Sequence, residues 1–522
     1  MRQYEFKDTH GDNLPTVRIQ KAVLENFKSV NYGEITFDCG RHFVPYDTKS
    51  DILGIYGQNG SGKTSLIEAL SILDTAMCGA KIPDIYSECI EKGKEKAHLE
   101  FTFDLQYPDG RIRKVVYGFD IASVEKDQEE KSNMYAEDAY NSKDSKTYVK
   151  LFNEKISMSG DFEGEKRVLK PVIDTSTDKE LFEPVAKHKY FINDKVSSDE
   201  LKYVKRMMTE KSKSFIFCDD TLSAIYDAGI YSEYFQVLLE LNYYAIGYLF
   251  VIDTKSTGFI RLSVGLPLYT SYGVIMLRED GPQIMPNQMF EDVEHEFQGI
   301  NYVLEKLIPG LSIELKKLSP ATTKDGKEGV LVELLANRNG LIIPLRDESD
   351  GVRKIISILG LIIRVYNDRS VTVAIDELDA GIYEYLLGEL LQMIEESGKG
   401  QLIFTSHNLR PLEVINKDFL YFTTTNADNR YIRLKGIGKT NNLRTTYFRE
   451  IIMGEQDEEL YKNTKKHKVL SAFQLASMAM TGMGPAGAVI ATTTATAAAV
   501  ATKSKSTKKK AQKTEVDNGK EK

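Results

Sequence analysis

One stretch, Asp51 to Thr64, constrains the fold of this chain more than any other. Asp51-Ile-Leu-Gly-Ile-Tyr56 is a short apolar run of strand character, and it feeds directly into Gly57-Gln-Asn-Gly-Ser-Gly-Lys63-Thr64. Ser65–Leu73 then reads as a helix with Leu66, Ala69 and Leu70 on its inner face. Strand, glycine-rich loop and helix in this order are the context a phosphate-binding loop requires. Gly57, Gly60 and Gly62 let the backbone turn tightly and point N–H groups inward, where the positive helix end adds to them. Gln58, Asn59, Ser61 and Ser65 complete the stretch expected to line the phosphates. Lys63 is expected to bridge the β- and γ-phosphates and to act in catalysis, and Thr64 to ligate Mg²⁺.

Composition narrows the setting. The 522 residues suffice for a large core, and the 42% hydrophobic content, with 28 Tyr and 23 Phe, excludes wholesale disorder. The net charge of −8 excludes a uniformly basic nucleic-acid coat, though not a local basic groove. Cys39, Cys78, Cys89 and Cys218 form no C-x-x-C pair and have no His at ligand spacing, so neither a structural zinc nor a disulfide framework is expected. Their scatter suits a reducing cytosol, and the opening Met1–Asp8 lacks the apolar core of a signal peptide; a cytoplasmic location follows as the expectation.

Along the chain, Val17–Phe27, Gly33–Phe37, Ala97–Tyr107 and Lys114–Ile121 read as strands. Ser123–Lys150 is rich in Glu, Asp, Lys, Ser and Asn and reads as a solvated loop. Asp199–Thr209, Tyr231–Tyr243 and Phe290–Leu307 carry helical periodicity, and Ser319–Gly329 reads as the turn of a hairpin. From Leu341 strands and helices alternate, which is the pattern of a parallel sheet wrapped by crossover helices. The expected organisation is an α/β P-loop head in two halves, 1–122 and 301–468, around a mixed, mainly helical insertion at 123–300. A tail, 469–522, is free of charge from Val469 to Thr502 and then lysine-rich. Its glycines and threonines make it weakly apolar, so it reads as low-complexity sequence rather than a membrane anchor.

The second half supplies acids where the loop needs them. Val371-Thr-Val-Ala-Ile375 is a buried-strand run ending in Asp376-Glu377. Acids at the carboxyl end of a parallel strand sit at the ligand-binding edge. Asp376 is expected in the Mg²⁺ shell, and Glu377 is expected to orient or deprotonate the attacking water. Upstream, Ser349-Asp-Gly351 opens the apolar helix Ile355–Val365 and presents a hydroxyl and free N–H groups to an anion. Downstream come Asp379 and, after the strand Gln401–Thr405, Ser406-His407-Asn408. A histidine at the end of a neighbouring strand can reach a γ-phosphate oxygen.

The ordered set Gly57–Thr64, Ser349-Asp-Gly351, Asp376-Glu377, Asp379 and His407 resembles an ABC-type ATPase head of the RecF, SMC and OLD clade. Ile19–Ser29 is similar to the first strand of such heads. Asp376–Gly381 with Gly400–Glu413 is similar to bacterial AAA-labelled ATP-binding proteins, several of which serve in phage defence beside a nuclease or toxin. The resemblance implies ATP and Mg²⁺, and two heads paired head-to-tail. Each ATP would lie between Gly57–Thr64 of one copy and Ser349–Gly351 of the other. It also implies that Asp379 crosses the interface, that His407 senses the γ-phosphate, and that hydrolysis through Glu377 releases the pair. An alternative within the clade is a RecF-like head that clamps DNA. The long coiled coil of SMC proteins and the acidic cluster of a fused Toprim nuclease are both missing from the sequence. Gln106 is the candidate for the family's Q-loop glutamine. Lys202, Lys205, Arg206, Lys211 and Lys213 form a basic run that DNA could use, although acids balance it.

Overall fold

The computed structural model describes residues 14–37, 51–126, 146–253, 265–270, 273–278, 280–323, 325–435, 442–454, 456–462 and 465–480. Strands β1 (Thr16–Phe27) and β2 (Val30–Thr36) form an antiparallel hairpin, and β3 (Asp51–Tyr56) leads through the glycine loop into α1 (Lys63–Met77). Strands β4 (Ala97–Gln106), β5 (Ile112–Glu125), β6 (Thr147–Phe162) and β7 (Glu165–Asp174) extend the hairpin into a six-stranded antiparallel sheet, ordered β2-β1-β4-β5-β6-β7. Helices α2 (Ser198–Glu210), α3 (Asp219–Asp227) and α4 (Glu233–Tyr248) follow, and then β8 (Leu249–Ile252). A β9 (Gly265–Thr270) and β10 (Gly273–Arg278) hairpin precedes β11 (Gln283–Pro286), α5 (Asn287–Leu307), β12 (Leu311–Thr322), β13 (Glu328–Arg338) and β14 (Leu341–Pro344). The chain ends this unit with α6 (Asp350–Asn367), β15 (Thr372–Ile375), α7 (Glu384–Ser397), β16 (Gln401–Thr405), α8 (Pro411–Val414), β17 (Leu420–Thr423), β18 (Tyr431–Ile432) and α9 (Leu443–Met453).

The sheet that positions the site is ordered β18-β17-β3-β16-β15-β8, and all but its β18 edge run parallel. Parallel strands are covered on both faces, which is why β8, β15, β16 and β17 are short apolar runs with every residue buried. Alternate side chains serve different cores. Leu53, Ile55, Ala374 and Ile403 join Leu66 and Leu70 of α1 and the inner face of the antiparallel sheet. Ile52, Val373, Ile375 and Phe404 join Phe297 of α5, Ile356 and Leu359 of α6 and Leu391 of α7. The two halves of the sequence therefore close over one sheet, with β3 from the first half inserted between β16 and β17 from the second.

The middle segment differs from its expectation. It contains α2, α3 and α4, but it also gives β6 and β7 to the antiparallel sheet and β8 to the parallel one, so strands matter there as much as helices. Ser123–Lys150, expected as a loop, contains the end of β5 and the start of β6; its residues 127–145 lie outside the described ones. Strand β6 buries Val149, Leu151, Ile156 and Met158, but half-buried Tyr148 and Phe152 and the buried Glu154 interrupt a simple apolar-polar alternation. A second compact unit begins at Lys462 and carries α10 (Lys466–Met480) where low-complexity sequence was expected to begin. The remaining tail and Cys39 lie outside the described residues. Cys78, Cys89 and Cys218 are free thiols. Among the described residues no helix is long and apolar enough to cross a membrane.

Candidate active site

The glycine loop leaves the carboxyl end of β3 in the middle of the parallel sheet, the edge at which such sheets bind ligands. Gly57 has φ 153°, and a Cβ there would fall 1.7 Å from Thr423 Oγ1. No larger residue fits at that position. The loop is braced from β17 and β18. Ser61 Oγ lies 2.5 Å from Thr423 Oγ1, Thr423 Oγ1 donates to Tyr56 O at 3.2 Å, and Tyr431 OH donates to Gly62 O at 2.7 Å. Ser61, expected among the phosphate-lining residues, spends its hydroxyl on this brace and on Gln58 O. Lys63 is buried, and its ammonium donates to Gly57 O at 2.9 Å and Gln58 O at 3.1 Å. Asn59 and Gly60 form the exposed tip, whereas Thr64 and Ser65 begin α1 beneath it.

The acids of the second half meet this loop. Thr64 Oγ1 donates to Asp376 Oδ1 at 3.4 Å, joining residues 312 positions apart. Thr405 Oγ1, from the end of β16, lies 2.5 Å from the same carboxylate oxygen and accepts the Glu377 N–H at 2.8 Å. One threonine thus fixes both acids. Glu377 has φ 48°, in the left-handed region that costs an L-residue free energy and persists only where neighbours enforce it. The Asp376 carboxylate and Thr64 hydroxyl converge as a small oxygen donor set. It suits Mg²⁺, a hard ion that takes few protein ligands and completes its shell with water and phosphate oxygens.

Charge at this edge is balanced closely. Burial pushes the Lys63 pKa below its ordinary value, and the Asp376, Glu377 and Asp379 carboxylates push it back up. Lys354, partly buried on α6, is shifted downward by burial in the same way and is opposed by Asp379, Glu377 and Asp376. Two cations, Lys63 from α1 and Lys354 from α6, therefore face three carboxylates of the single loop after β15.

Ser349 caps α6, with Oγ accepting the Val352 N–H at 3.4 Å, and is exposed. Gly351 backs onto the loop after the acids so closely that a Cβ would fall 2.2 Å from Gly381 O. Ser349 and Gly351 line a groove of about 450 Å³ with Leu307, Ile308, Tyr383 and Leu386. Asp379 is engaged within its own chain, where its carboxylate accepts the His407 N–H at 3.1 and 3.2 Å and the Asn408 N–H at 2.9 Å. It shapes the loop that presents the exposed His407 ring. Gln106 ends β4 in the antiparallel sheet, opposite Thr16 and Ile112, and so does not lie at the ligand edge. The residue that does, on the strand beside β15, is Asp253 after β8; its carboxylate accepts from Tyr86 OH at 2.6 Å. In the basic run, Lys202 donates to Lys179 O at 3.1 Å and Lys205 to Thr177 O at 2.8 Å, so two of its cations hold a neighbouring loop.

A family described as an AAA ATPase domain matches residues 18–410, a span holding Gly57–Ser65, Ser349, Gly351, Asp376, Glu377, Asp379 and His407. The chain belongs to this AAA ATPase domain family. It is an ATPase with the α/β P-loop head expected from its sequence. No curated protein matches it. Similar solved structures include a Smc head domain with an extended coiled coil from Pyrococcus furiosus, itself bound to the C-terminal domain of ScpA. That likeness has 14% identity and TM-score 0.36, and covers 80% of this chain and 96% of that one. The SMC head domain from Thermotoga maritima has 12% identity and TM-score 0.31, with coverage of 80% and 100%. The recombination mediator RecF with ATP has 14% identity and TM-score 0.30, with coverage of 75% and 94%.

Proposed function

We propose that this ATPase works as an ABC-type head that pairs head-to-tail with a second copy around ATP and Mg²⁺, and that its nucleotide state controls a partner effector, a nuclease or toxin, in phage defence. The observation that carries the pairing is the division of the site. Thr64 of the glycine loop meets Asp376, with Lys63 and Glu377 beside them in sequence, while at the start of α6 Ser349 stands exposed and the half-buried Gly351 packs against Gly381 of the loop after the acids. The effector assignment is supported by a well-formed nucleotide site in a chain that has, among the described residues, no separate cluster of metal-ligating side chains for nuclease chemistry.

The residues divide the work. The loop amides and Lys63 neutralise the β- and γ-phosphates. Thr64 and Asp376 would hold Mg²⁺, which would supply further neutralisation of the phosphate charge. Glu377 accepts the proton of the attacking water as its oxygen bonds to the γ-phosphorus and the bond from that phosphorus to the bridging oxygen breaks, releasing ADP and phosphate. His407 donates to a γ-phosphate oxygen, and Ser349 of the second copy closes the other side. Charge-assisted hydrogen bonds from both copies to one triphosphate favour the paired state, and loss of the γ-phosphate removes them.

Glu377→Gln tests this reading. It keeps the hydrogen-bonding shape of the side chain and removes the base. ATP should convert it to a stable dimer by light scattering at micromolar protein, with turnover lowered by about a hundredfold or more. A monomer under ATP would contradict head-to-tail pairing. ATP-dependent, salt-sensitive DNA binding would favour the DNA-clamping alternative over effector control.

A further inference from the structure

Lys354 stands on the first turns of α6, the helix that Ser349 caps, and its ammonium donates to the backbone carbonyl of Glu377 at 2.5 Å. That carbonyl also accepts the Ala380 N–H at 3.0 Å, closing a tight turn after the acids. On the other side of the residue, the Glu377 N–H is held by Thr405 Oγ1 and the Leu378 N–H by Thr405 O at 3.0 Å. A left-handed glutamate needs such enforcement on both flanks. Thr405 provides it on the amide side, and Lys354 provides the side-chain contact on the carbonyl side. The contact of Gly351 with Gly381 leaves no room for a Cβ, so the start of α6 cannot advance toward the loop without displacing it.

We infer that Lys354 is a positioning residue that ties the amino-terminal turns of α6, with Ser349 and Gly351, to the backbone of Glu377 and thereby sets where the Glu377 carboxylate points. The inference rests on the paired-head reading for its consequence. In a head-to-tail pair Ser349 meets one nucleotide and Glu377 acts on the other. The tether then carries occupancy of one site to the base of the second through a single side chain. A two-state element biased from both ends is the physical requirement for such coupling.

The test compares Lys354→Met and Lys354→Arg with the full-length protein. Lys354→Met should lower kcat by about tenfold or more while nucleotide affinity stays within about twofold, because no binding group is removed. Lys354→Arg retains a cationic donor and should recover part of the rate. Hydrogen exchange of the peptide spanning 376–381 should be faster in Lys354→Met than in the parent, and this readout does not depend on turnover. Wild-type kcat with unchanged exchange in Lys354→Met would overturn the inference. So would a rate loss matched by an equal loss of nucleotide affinity. Should the methionine variant fail to fold, Lys354→Gln provides the same comparison with a neutral donor. Glu377→Gln measured alongside separates the two readings: turnover surviving there contradicts the base assignment, whereas the exchange result still decides the tether.

Discussion

Lys63 and Ser349 are expected at the two ends of one kind of site, and the molecule builds them in opposite ways. Lys63 is buried, held by two loop carbonyls and backed by a loop that Thr423 and Tyr431 pin from neighbouring strands. Ser349 is exposed, and its hydroxyl makes one long hydrogen bond within its own helix. The difference teaches that the phosphate-loop end is finished by intramolecular contacts, whereas the α6 end is presented outward. A site divided between copies requires that asymmetry.

The comparison can be broken most sharply at the finished end. Lys63→Ala removes the buried cation among the loop amides and should weaken ATP binding by about a hundredfold or more, measured by titration calorimetry. If affinity survives, the loop is not the principal phosphate site. A smaller effect is expected at Thr405, which braces both acids without touching the loop. Thr405→Val leaves the Asp376 oxygen and the Glu377 N–H without this hydroxyl. It should lower turnover by about tenfold and cost about 1–2 kcal/mol in urea denaturation. Unchanged turnover would show that Glu377 is held without it.

The smallest effect on nucleotide binding and turnover lies in the antiparallel half. Glu240 of α4 is buried, and burial raises its pKa to about 7 against the opposing pull of Tyr107, Arg113 and Gln236. The folded state keeps the proton that the unfolded chain releases near 4.5. Stability should therefore fall as pH rises from about 4.5 to about 7 and level off above. Glu240→Gln should lack most of that fall when denaturation at about pH 5 and about pH 8 is compared, with nucleotide affinity unchanged. A fall of the same size in the variant would assign the dependence to other groups.

How far the sequence led differs between the same two regions. The motifs of the parallel sheet were legible because they are local: a strand, a loop and a helix start lie within residues 51–65, and each acid follows its strand directly. The structure brings Thr64 to Asp376 as that pattern implies. Contacts made across the fold left no such mark. Nothing in the sequence distinguishes Thr405, Thr423 or Tyr431 from ordinary strand residues, and their value comes from hydrogen bonds that only the fold makes: Thr405 with Asp376 and Glu377, Thr423 with Tyr56 and Tyr431 with Gly62. No local pattern shows that the Asp379 carboxylate accepts the backbone N–H groups of His407 and Asn408, which lie on the neighbouring strand's loop. Lys354 lies three residues after Gly351, but its partner is a backbone carbonyl, which no side-chain pattern reveals. In the middle segment, the buried Glu154 and the half-buried Tyr148 and Phe152 blur the alternation of β6.

The direct test of the divided site is complementation between two variants damaged at opposite ends. Ser349→Arg blocks the outward end and should leave the nucleotide affinity of a single copy within about twofold of the parent, while Lys63→Ala removes the loop end. Each alone should be inactive as an ATPase. Mixed, they form a pair in which the intact loop of one copy meets the intact Ser349 of the other, and turnover should return to a substantial fraction of the parent rate. A mixture as inactive as its two components would contradict the claim that the site is shared between copies.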